Sequence, residues 1–381
     1  MQPMSLELIS AEEAGVDPMR LELFLSRARL EVDQRILPSA QVAVARNGRL
    51  VAFETYGAAT NDTKYILQSV GRTVVAATVW KLLGEGLLDL DEPIVDVIPE
   101  FGTNGKHEVT LEHVLTHTAG FPFAPLGYPK MLDRQTRLAA FERWKLDWPP
   151  GSRIQFHLTS AAWVIAELVE RKTGMPFADY LRTAIAEPLG LGFILPLPAD
   201  QYDSPVLAAP VAIDRTSDED EVDPWGPWYL ANPEVLSGGE PSHSIVGSAA
   251  DMAQLMQALF HSGLWDESTV RDAIRIRRSE APWGEKIYGG SKEVVNIGLF
   301  VLISGAGGWT LTPRTGSAAT FGHSGAPCQL GFMDPETGTS FAFLTNGYPL
   351  AGYDHSLQGT NRQIVLQSLG NDLISQTSTL R

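Results

Sequence analysis

The stretch that decides the fold reads Tyr65-Ile66-Leu67-Gln68-Ser69-Val70-Gly71-Arg72-Thr73-Val74-Val75. A polar start followed by an apolar run predicts a buried helix over residues 74–84 that begins near Ser69. Free backbone N–H groups and the helix dipole at such a start favour developing negative charge. Residue 72 lies one turn further on, on the same helix face as the serine. This is the spacing of an S-x-x-K nucleophile, although a serine here is also typical of a simple N-cap.

The residue one turn after the serine is Arg72, and no lysine of the chain follows a serine at this spacing. A guanidinium stays protonated, with a pKa above about 12. Using it as a neutral base near pH 7 would cost about 8 kcal/mol, at about 1.4 kcal/mol per pKa unit. We therefore expect Arg72 to stabilise an alkoxide or bind a carboxylate, and to be a poor general base.

Composition limits the partners of the chain. Of its 381 residues 44% are hydrophobic, which is typical of a globular protein. The formal net charge is −16, and a surface of this charge repels nucleic acid and anionic membranes. Cys328 is the single cysteine, so no intramolecular disulfide forms. The start resembles no signal peptide, and no stretch has the length of a membrane span. We expect a cytoplasmic protein with a small-molecule substrate and no cofactor; the oligomeric state stays open.

Strand patterns lie at both ends of the chain and helical patterns lie between them. A first helix over 11–33, capped by Ser10 or Asp17, precedes a hairpin turning at Asn47-Gly48. Further helices are predicted at 108–117, 160–173, 248–261 and 356–369, and strands at 297–303, 321–323, 329–333 and 341–345.

This order predicts an α/β fold of the α+β kind. Residues 1–68 and 290–381 would form one antiparallel sheet flanked by helices. Residues 69–289 would form a mainly helical inserted domain, with a cleft between the two.

Four further motifs follow the Ser69 segment in order. They are Leu115-Thr116-His117-Thr118-Ala119-Gly120, Pro150-Gly151, Phe321-Gly322-His323-Ser324-Gly325 and Leu344-Thr345-Asn346-Gly347. Their order and spacing, over roughly residues 10–370, resemble the serine β-lactamase-like superfamily. That group includes class C β-lactamases, penicillin-binding proteins, family VIII esterases and acyltransferases. The resemblance implies a β-lactamase/transpeptidase-like fold.

The resemblance also implies roles for individual residues. Ser69 matches the nucleophile that forms an acyl-enzyme. His323, Ser324 and Gly325 match the strand motif that lines the site. The backbone N–H groups of Ser69 and Ala326 would then form the oxyanion hole.

The tyrosine that assists proton transfer in this superfamily has no clear counterpart. Counting forward from Pro150-Gly151 places Phe156 at its position, whereas counting back from the next helix places His157 there. Phe156 would do no proton chemistry, and His157 would serve as a base at neutral pH or lie as an ordinary loop histidine. Sequence leaves both counts open.

Two aromatic, proline-rich loops provide candidate pocket walls. We expect Phe123, Trp225, Trp228 and Tyr229 either to line an apolar substrate pocket or to cover the core of the helical region. His113 and His117 have the i, i+4 spacing of a metal pair, but no His-Glu-x-x-His motif accompanies them, so we expect no metal.

Together these features predict a serine hydrolase or acyltransferase with a non-standard base. Its substrate would be a small hydrophobic ester, thioester, lactone or amide, attacked through an acyl-Ser69 intermediate. The alternative is a non-hydrolytic protein on the same scaffold: a cyclase or isomerase of specialised metabolism, or a ligand-binding pseudoenzyme.

Overall fold

A computed structural model describes residues 7–213, 227–282, 293–309, 311–314, 316–326 and 328–348. The predicted helix at 356–369 and the candidate wall residue Trp225 lie outside the described residues. Among the helices within these ranges, none is both long and apolar enough to cross a membrane.

The strands form one large antiparallel sheet and two small pairs. The described strands are β1 (Ser39–Arg46), β2 (Arg49–Gly57), β3 (Tyr65–Ile66), β4 (Val211–Ala212), β5 (Val246–Gly247), β6 (Arg278–Glu280), β7 (Val295–Ile297), β8 (Leu302–Ile303), β9 (Phe321–Gly325), β10 (Gln329–Asp334), β11 (Thr339–Thr345) and β12 (Gly347–Tyr348). Eight of them form the main sheet in the order β2-β1-β11-β10-β9-β8-β7-β6. β3 pairs with β5, and β4 with β12.

The α-helices are α1 (Pro18–Asp33), α2 (Gly71–Gly84), α3 (Ile94–Val97), α4 (Leu111–Leu115), α5 (Arg134–Arg143), α6 (Ser160–Thr173), α7 (Phe177–Tyr180), α8 (Glu187–Leu189), α9 (Pro227–Leu230), α10 (Pro233–Ser237), α11 (Ala249–His261) and α12 (Glu267–Ala273). Short 3₁₀ helices lie at Gln68–Val70, Pro99–Phe101, Lys106–Glu108, Lys130–Leu132 and Ala199–Gln201, and a π-helix at Leu181–Ala186.

The sheet is covered by helices on both faces. Successive strand residues point to opposite faces, so Val42 and Ala43 of β1 belong to different cores. Val42 packs in the cluster that contains Phe24 of α1. Ala43 packs in the larger cluster that contains residues of α2, α6 and α11. The central strands are therefore buried on both sides.

The predicted sheet from both chain ends is confirmed. Asn47 and Gly48 have φ of 50° and 81°, the left-handed pair that a two-residue hairpin turn requires. β1 then pairs antiparallel with β11, with Val42 opposite Phe343. Asp17 caps α1, because its carboxylate accepts hydrogen bonds from the first backbone N–H groups of the helix.

The first helix begins at Pro18 and not at residue 11, and two further predicted elements were wrong in extent. The helix expected at 108–117 covers only Leu111–Leu115, because Thr110 is extended and caps it and His117 has a left-handed φ of 58°. The strand expected at 297–303 is split into β7 and β8, because Phe300 has a φ of 67° and turns the chain.

The two-domain division stays a prediction. β6 lies in the main sheet although residues 278–280 fall within the range predicted for the helical insert. Helix α11, from the same range, packs against the sheet through residues such as Met252. The chain therefore alternates between sheet and helical region more often than a single insertion would require.

A buried glutamine fastens α11 to the sheet. Gln257 Oε1 accepts the N–H of Gly48 at 2.8 Å, in the hairpin turn. Its Nε2 donates to Gly338 O at 3.0 Å and to Ser340 Oγ at 2.9 Å, next to β11. One amide therefore holds the turn of β1–β2, the start of β11 and the helix together.

Replacing this amide should destabilise the fold. We expect Gln257→Ala to lower the free energy of unfolding by about 2–4 kcal/mol, because buried donors and acceptors lose their partner. Urea unfolding followed by tryptophan fluorescence measures the change. Gln135→Ala, at an exposed position of α5, is the matched control and should change stability by less than about 0.5 kcal/mol. Equal stability of the two variants would contradict the role given to Gln257.

Candidate active site

Ser69 lies in the 3₁₀ turn Gln68–Val70 that leads directly into α2. The residue before it, Gln68, has a φ of 49°, which is unusual for a residue with a side chain. Such strain costs about 1–3 kcal/mol and is found mainly at functional sites. The approach to the turn is held from the sheet, because Gln329 Nε2 of β10 donates to Ile66 O at 3.0 Å.

Strand β9 runs against the Ser69 turn. A Cβ atom on Gly325 would lie 3.1 Å from the backbone nitrogens of both Ser69 and Val70, closer than ordinary side-chain contacts. A side chain at this position would therefore push the strand away from the serine. Ser324 is buried beside this contact, and Ala326 directly follows it. The proposed oxyanion-hole residues, Ser69 and Ala326, thus belong to the two segments that meet here.

Arg72 is a fully buried cation. Its side chain has 0% of its surface exposed, and its Nη2 donates to the carbonyl oxygen of Leu158. The guanidinium carbon lies 4.2 Å from the ring centroid of Phe156 and 5.2 Å from that of Phe300. Aromatic faces attract a cation in this position. The two rings and the carbonyl hold the guanidinium one turn after the serine.

Phe156 rather than His157 faces this cation. The Phe156 ring lies over Arg72 and has its centroid 6.1 Å from that of His323 on β9. His157 points elsewhere, with Nδ1 donating to Gln155 O at 2.7 Å and Nε2 accepting the N–H of Phe121 at 3.2 Å. Both nitrogens of this imidazole are therefore engaged by the backbone.

Three buried imidazoles surround Arg72. Burial, with the positive charge of Arg72 adding to it, lowers the pKa of His157 and of His323 to about 3. The same two causes hold the pKa of His117 well below its usual range. All three rings are therefore neutral at pH 7, and Arg72 carries the positive charge of this group alone.

His117 and His113 serve the backbone. His117 Nδ1 accepts the N–H of His157 at 3.3 Å, and His113 Nδ1 accepts the N–H of Thr110 at 3.2 Å. These bonds use one nitrogen of each ring that a metal pair at this spacing would otherwise offer.

The candidate wall residues are scattered. Trp228 packs against the hydrophobic cluster that includes Ile66 and Val246. Tyr229 packs against the large core, and Phe123 is 55% exposed. The interpretation of these residues as substrate walls stays a prediction.

The structure also places a polar cluster that the sequence did not suggest beside Arg72. Ser242 Oγ lies 3.2 Å from Leu158 O, the same oxygen that Arg72 contacts. The same hydroxyl, Ser242 Oγ, lies 2.7 Å from Glu240 Oε1. The Glu240 carboxylate also contacts the ring of His243. The run Glu240-Pro241-Ser242-His243 before α11 was the available signal, but it matches no catalytic spacing.

A serine at a strained turn into a buried helix, faced by a glycine strand, is the arrangement that the serine hydrolase-type superfamily pattern led us to expect. The chain belongs to the Beta-lactamase family, whose sequence model matches residues 25–365. Similar solved structures include EstA from Arthrobacter nitroguajacolicus Rue61a, with a TM-score of 0.76, 24% identity and coverage of 98% of this chain and 99% of EstA. A penicillin-binding protein homologue from Caulobacter crescentus has a TM-score of 0.75 and 24% identity over 94% of this chain and 98% of its own.

A curated relative covers a similar share of the chain. It is a putative D-alanyl-D-alanine carboxypeptidase of Salmonella enteritidis PT4, 25% identical over 393 residues, with 90% of this chain and 86% of the relative aligned. A family VIII carboxylesterase structure has a TM-score of 0.74 and 18% identity, over 92% of this chain and 97% of its own. The predicted superfamily and fold are confirmed.

Acid should destabilise this protein through its buried imidazoles. An unfolded histidine titrates near pH 6.5, so below that pH the unfolded state binds protons that folded His157 and His323 do not. Between pH 7 and pH 5 each ring should therefore remove about 2 kcal/mol from the free energy of unfolding. Urea unfolding at both pH values measures this loss.

The non-titrating variant His157→Asn should reduce that loss by about 2 kcal/mol. His107→Gln, which replaces an exposed imidazole, should leave the loss unchanged. An unaltered pH dependence in His157→Asn would show that this ring is protonated in the folded state.

Proposed function

We propose that this protein is a serine hydrolase or acyltransferase that works through an acyl-Ser69 intermediate. The observation that carries the proposal is the contact between Gly325 and the Ser69 turn. It brings a strand edge against the N-terminus of α2, where an oxyanion would form, and the left-handed Gln68 fixes the turn before any substrate arrives. Preorganised donors at such a place act on the transition state rather than on the ground state.

The backbone N–H groups of Ser69 and Ala326 are the proposed oxyanion donors. One such donor is worth about 3–4 kcal/mol of barrier in serine enzymes. The dipole of α2 adds to the same field, because Ser69 lies at its positive end.

Arg72 is proposed as a fixed cation. It cannot take a proton at neutral pH, and the rings of Phe156 and Phe300 hold it in place. Because the Arg72 side chain is fully buried, its constant positive charge one turn from Ser69 is weakly screened and stabilises the alkoxide and the oxyanion. This role requires no base at residue 72.

The proposed substrate is a small hydrophobic ester, thioester, lactone or amide. The apolar ring of Phe156 lies over Arg72, and Trp228 packs against the hydrophobic cluster that includes Ile66. Solved relatives bear the names of esterases and of a D-amino acid amidase, which suits this range. A cytoplasmic location and a part in specialised metabolism stay predictions from the sequence.

One observation favours the alternative, a non-hydrolytic protein. The lysine position holds Arg72, and of the two candidates for the tyrosine position it is Phe156 that lies over this arginine; neither of these side chains accepts a proton at neutral pH. A cyclase, isomerase or ligand-binding protein on this scaffold would tolerate both. The two candidates differ in whether Ser69 becomes acylated.

Covalent labelling distinguishes them. We expect a fluorophosphonate probe to label the wild type and p-nitrophenyl butyrate to be hydrolysed, and Ser69→Ala to lose both by at least about 100-fold. Ser268→Ala, at an exposed position of α12, should behave as wild type. A wild type that neither labels nor turns over contradicts the acyl-enzyme proposal and favours the alternative.

The charge of Arg72 is tested by two substitutions. Arg72→Met keeps the length but removes the charge, so labelling should slow about 10- to 100-fold. Arg72→Lys offers a different cation, and labelling should stay within about tenfold of the wild-type rate. An Arg72→Met variant as fast as wild type, or an Arg72→Lys variant that gains more than about 100-fold, would contradict the fixed-cation role.

A further inference from the structure

A buried carboxylate–imidazole pair lies beside Arg72. Ser242 Oγ is 3.2 Å from Leu158 O, which Arg72 also contacts, and 2.7 and 2.8 Å from the two oxygens of Glu240. The hydroxyl has one proton, and a carboxylate is its strongest acceptor here. The contacts therefore run from Arg72 through Leu158 and Ser242 to Glu240, on three separate segments of the chain.

Glu240 is fully buried and is held by short bonds. Its Oε2 accepts the backbone N–H groups of Ser242 at 2.9 Å and of His243 at 3.0 Å. With the hydroxyl of Ser242, three donors converge on one carboxylate. A buried acid needs such donors, and they fix the direction in which its oxygens point.

One of those oxygens contacts the next imidazole. His243 Nδ1 contacts Glu240 Oε2, and the His243 side chain is 3% exposed. A carboxylate at Nδ1 keeps the proton on that nitrogen and leaves the lone pair on Nε2. Both ring nitrogens of His243 are buried and have no hydrogen-bond partner among the described residues, so the contact of Nδ1 with the Glu240 carboxylate is the interaction that sets the direction of the ring.

The segment that carries His243 lies against the Ser69 turn at two points. Leu67 N–H donates to Ile245 O at 2.9 Å. On the other side of the serine, a Cβ atom on Gly71 would lie 3.6 Å from Ser242 O. Ser69 lies between Leu67 and Gly71 in the sequence. His243 lies between Ser242 and Ile245, the residues that contact these two.

We propose that His243, oriented by Glu240, is the proton acceptor for Ser69. The inference rests on the proposed acyl-enzyme function and names the base that this function lacks. Glu240 and His243 would together replace the proton-handling lysine and tyrosine that the superfamily pattern leads one to expect at residue 72 and at residue 156 or 157.

The proton then follows a closed path. As Ser69 Oγ bonds to the carbonyl carbon, its proton passes to His243 Nε2 and the carbonyl π electrons move to the oxygen. When that oxyanion collapses, the bond to the leaving group breaks and the leaving group takes the proton from Nε2. Water then attacks the acyl-enzyme, gives a proton to Nε2, and Ser69 recovers it as the acid leaves.

The other imidazoles suit this role less well. His157 has both nitrogens engaged by the backbone. His323 also has a buried Nε2 without a hydrogen-bond partner among the described residues, but its Nδ1 faces the carbonyl oxygen of Ser324 rather than a carboxylate. Burial and the nearby Arg72 charge lower the pKa of His323 to about 3, so it does not hold a proton at neutral pH.

Arg72 and three buried imidazoles lie at the far end of the contacts that start from the Glu240–His243 pair. Glu240 contacts His243 directly, and Arg72 stands at the other end of the contacts through Leu158. The neutral rings of His117, His157 and His323 surround Arg72.

The experiment measures fluorophosphonate labelling and p-nitrophenyl butyrate hydrolysis from pH 5 to pH 9 in wild type, His243→Ala and Glu240→Gln. We expect the wild-type rate to rise with pH across the neutral range. His243→Ala should lose at least about 100-fold and become flat over pH 5–8, and added imidazole should restore part of the rate. Glu240→Gln should lose at least about tenfold while a pH dependence remains. His107→Gln is the exposed-histidine control.

The outcomes separate the two proposals. A wild type without labelling, or a Ser69→Ala variant labelled as fast as wild type, overturns the acyl-enzyme function. A labelled wild type with His243→Ala at the same rate and pH profile overturns only the role of His243. So does a slower His243→Ala that keeps the wild-type pH profile and ignores imidazole. If His243→Ala fails to fold, His243→Asn fills the space and is compared by rate and pH profile.

Discussion

A guanidinium without exposed surface governs the arrangement around Ser69. Placing Arg72 inside the protein is unfavourable unless other groups replace its water. The faces of Phe156 and Phe300 and the carbonyl oxygen of Leu158 do so. The neighbouring imidazoles carry no charge that would repel it. A cation in this position needs apolar and neutral partners. This explains why an arginine at residue 72 is accompanied by an aromatic ring at residue 156, where the superfamily pattern leads one to expect polar groups.

The long-range scaffold of the site is held by buried amides. Gln257 joins α11 to the hairpin turn and to β11, and Gln329 joins β10 to the strand that leads to Ser69. Gln41 of β1 accepts the first N–H of α11 at 2.8 Å. A side-chain amide both donates and accepts, so one residue can satisfy the ends of two elements at once. These residues fix the sheet, the helix and the Ser69 turn relative to one another.

Local signals in the sequence predicted most of the fold. The Asn47-Gly48 turn and the alternating strands near the C-terminus each depend on neighbouring residues, and their positions were found within a few residues. The elements that were wrong depend on single backbone conformations. A left-handed φ at His117 ends one helix and another at Phe300 splits one strand, and neither residue type predicts such a conformation.

The site was predictable only in part, for a related reason. The spacing around Ser69 and the His323–Gly325 strand are local patterns. The choice between Phe156 and His157 depended on which side chain points to Arg72, and a one-residue offset reverses that direction. The Glu240–His243 pair meets the other site residues through Leu158, which is 84 residues from Ser242 in the chain. A contact at that distance leaves no mark in the local sequence.

The pairing of β1 with β11 also has a consequence for how the chain is made. Thr345 Oγ1 donates to Ser39 O, 306 residues earlier. At about 5–20 residues per second, a ribosome needs roughly 15–60 seconds to make the chain between them. Throughout that time the first hairpin has an open edge on the side that β11 later fills, and such edges recruit other strands. The newly made first hairpin therefore stays exposed to pairing with other strands until β11 has been synthesised.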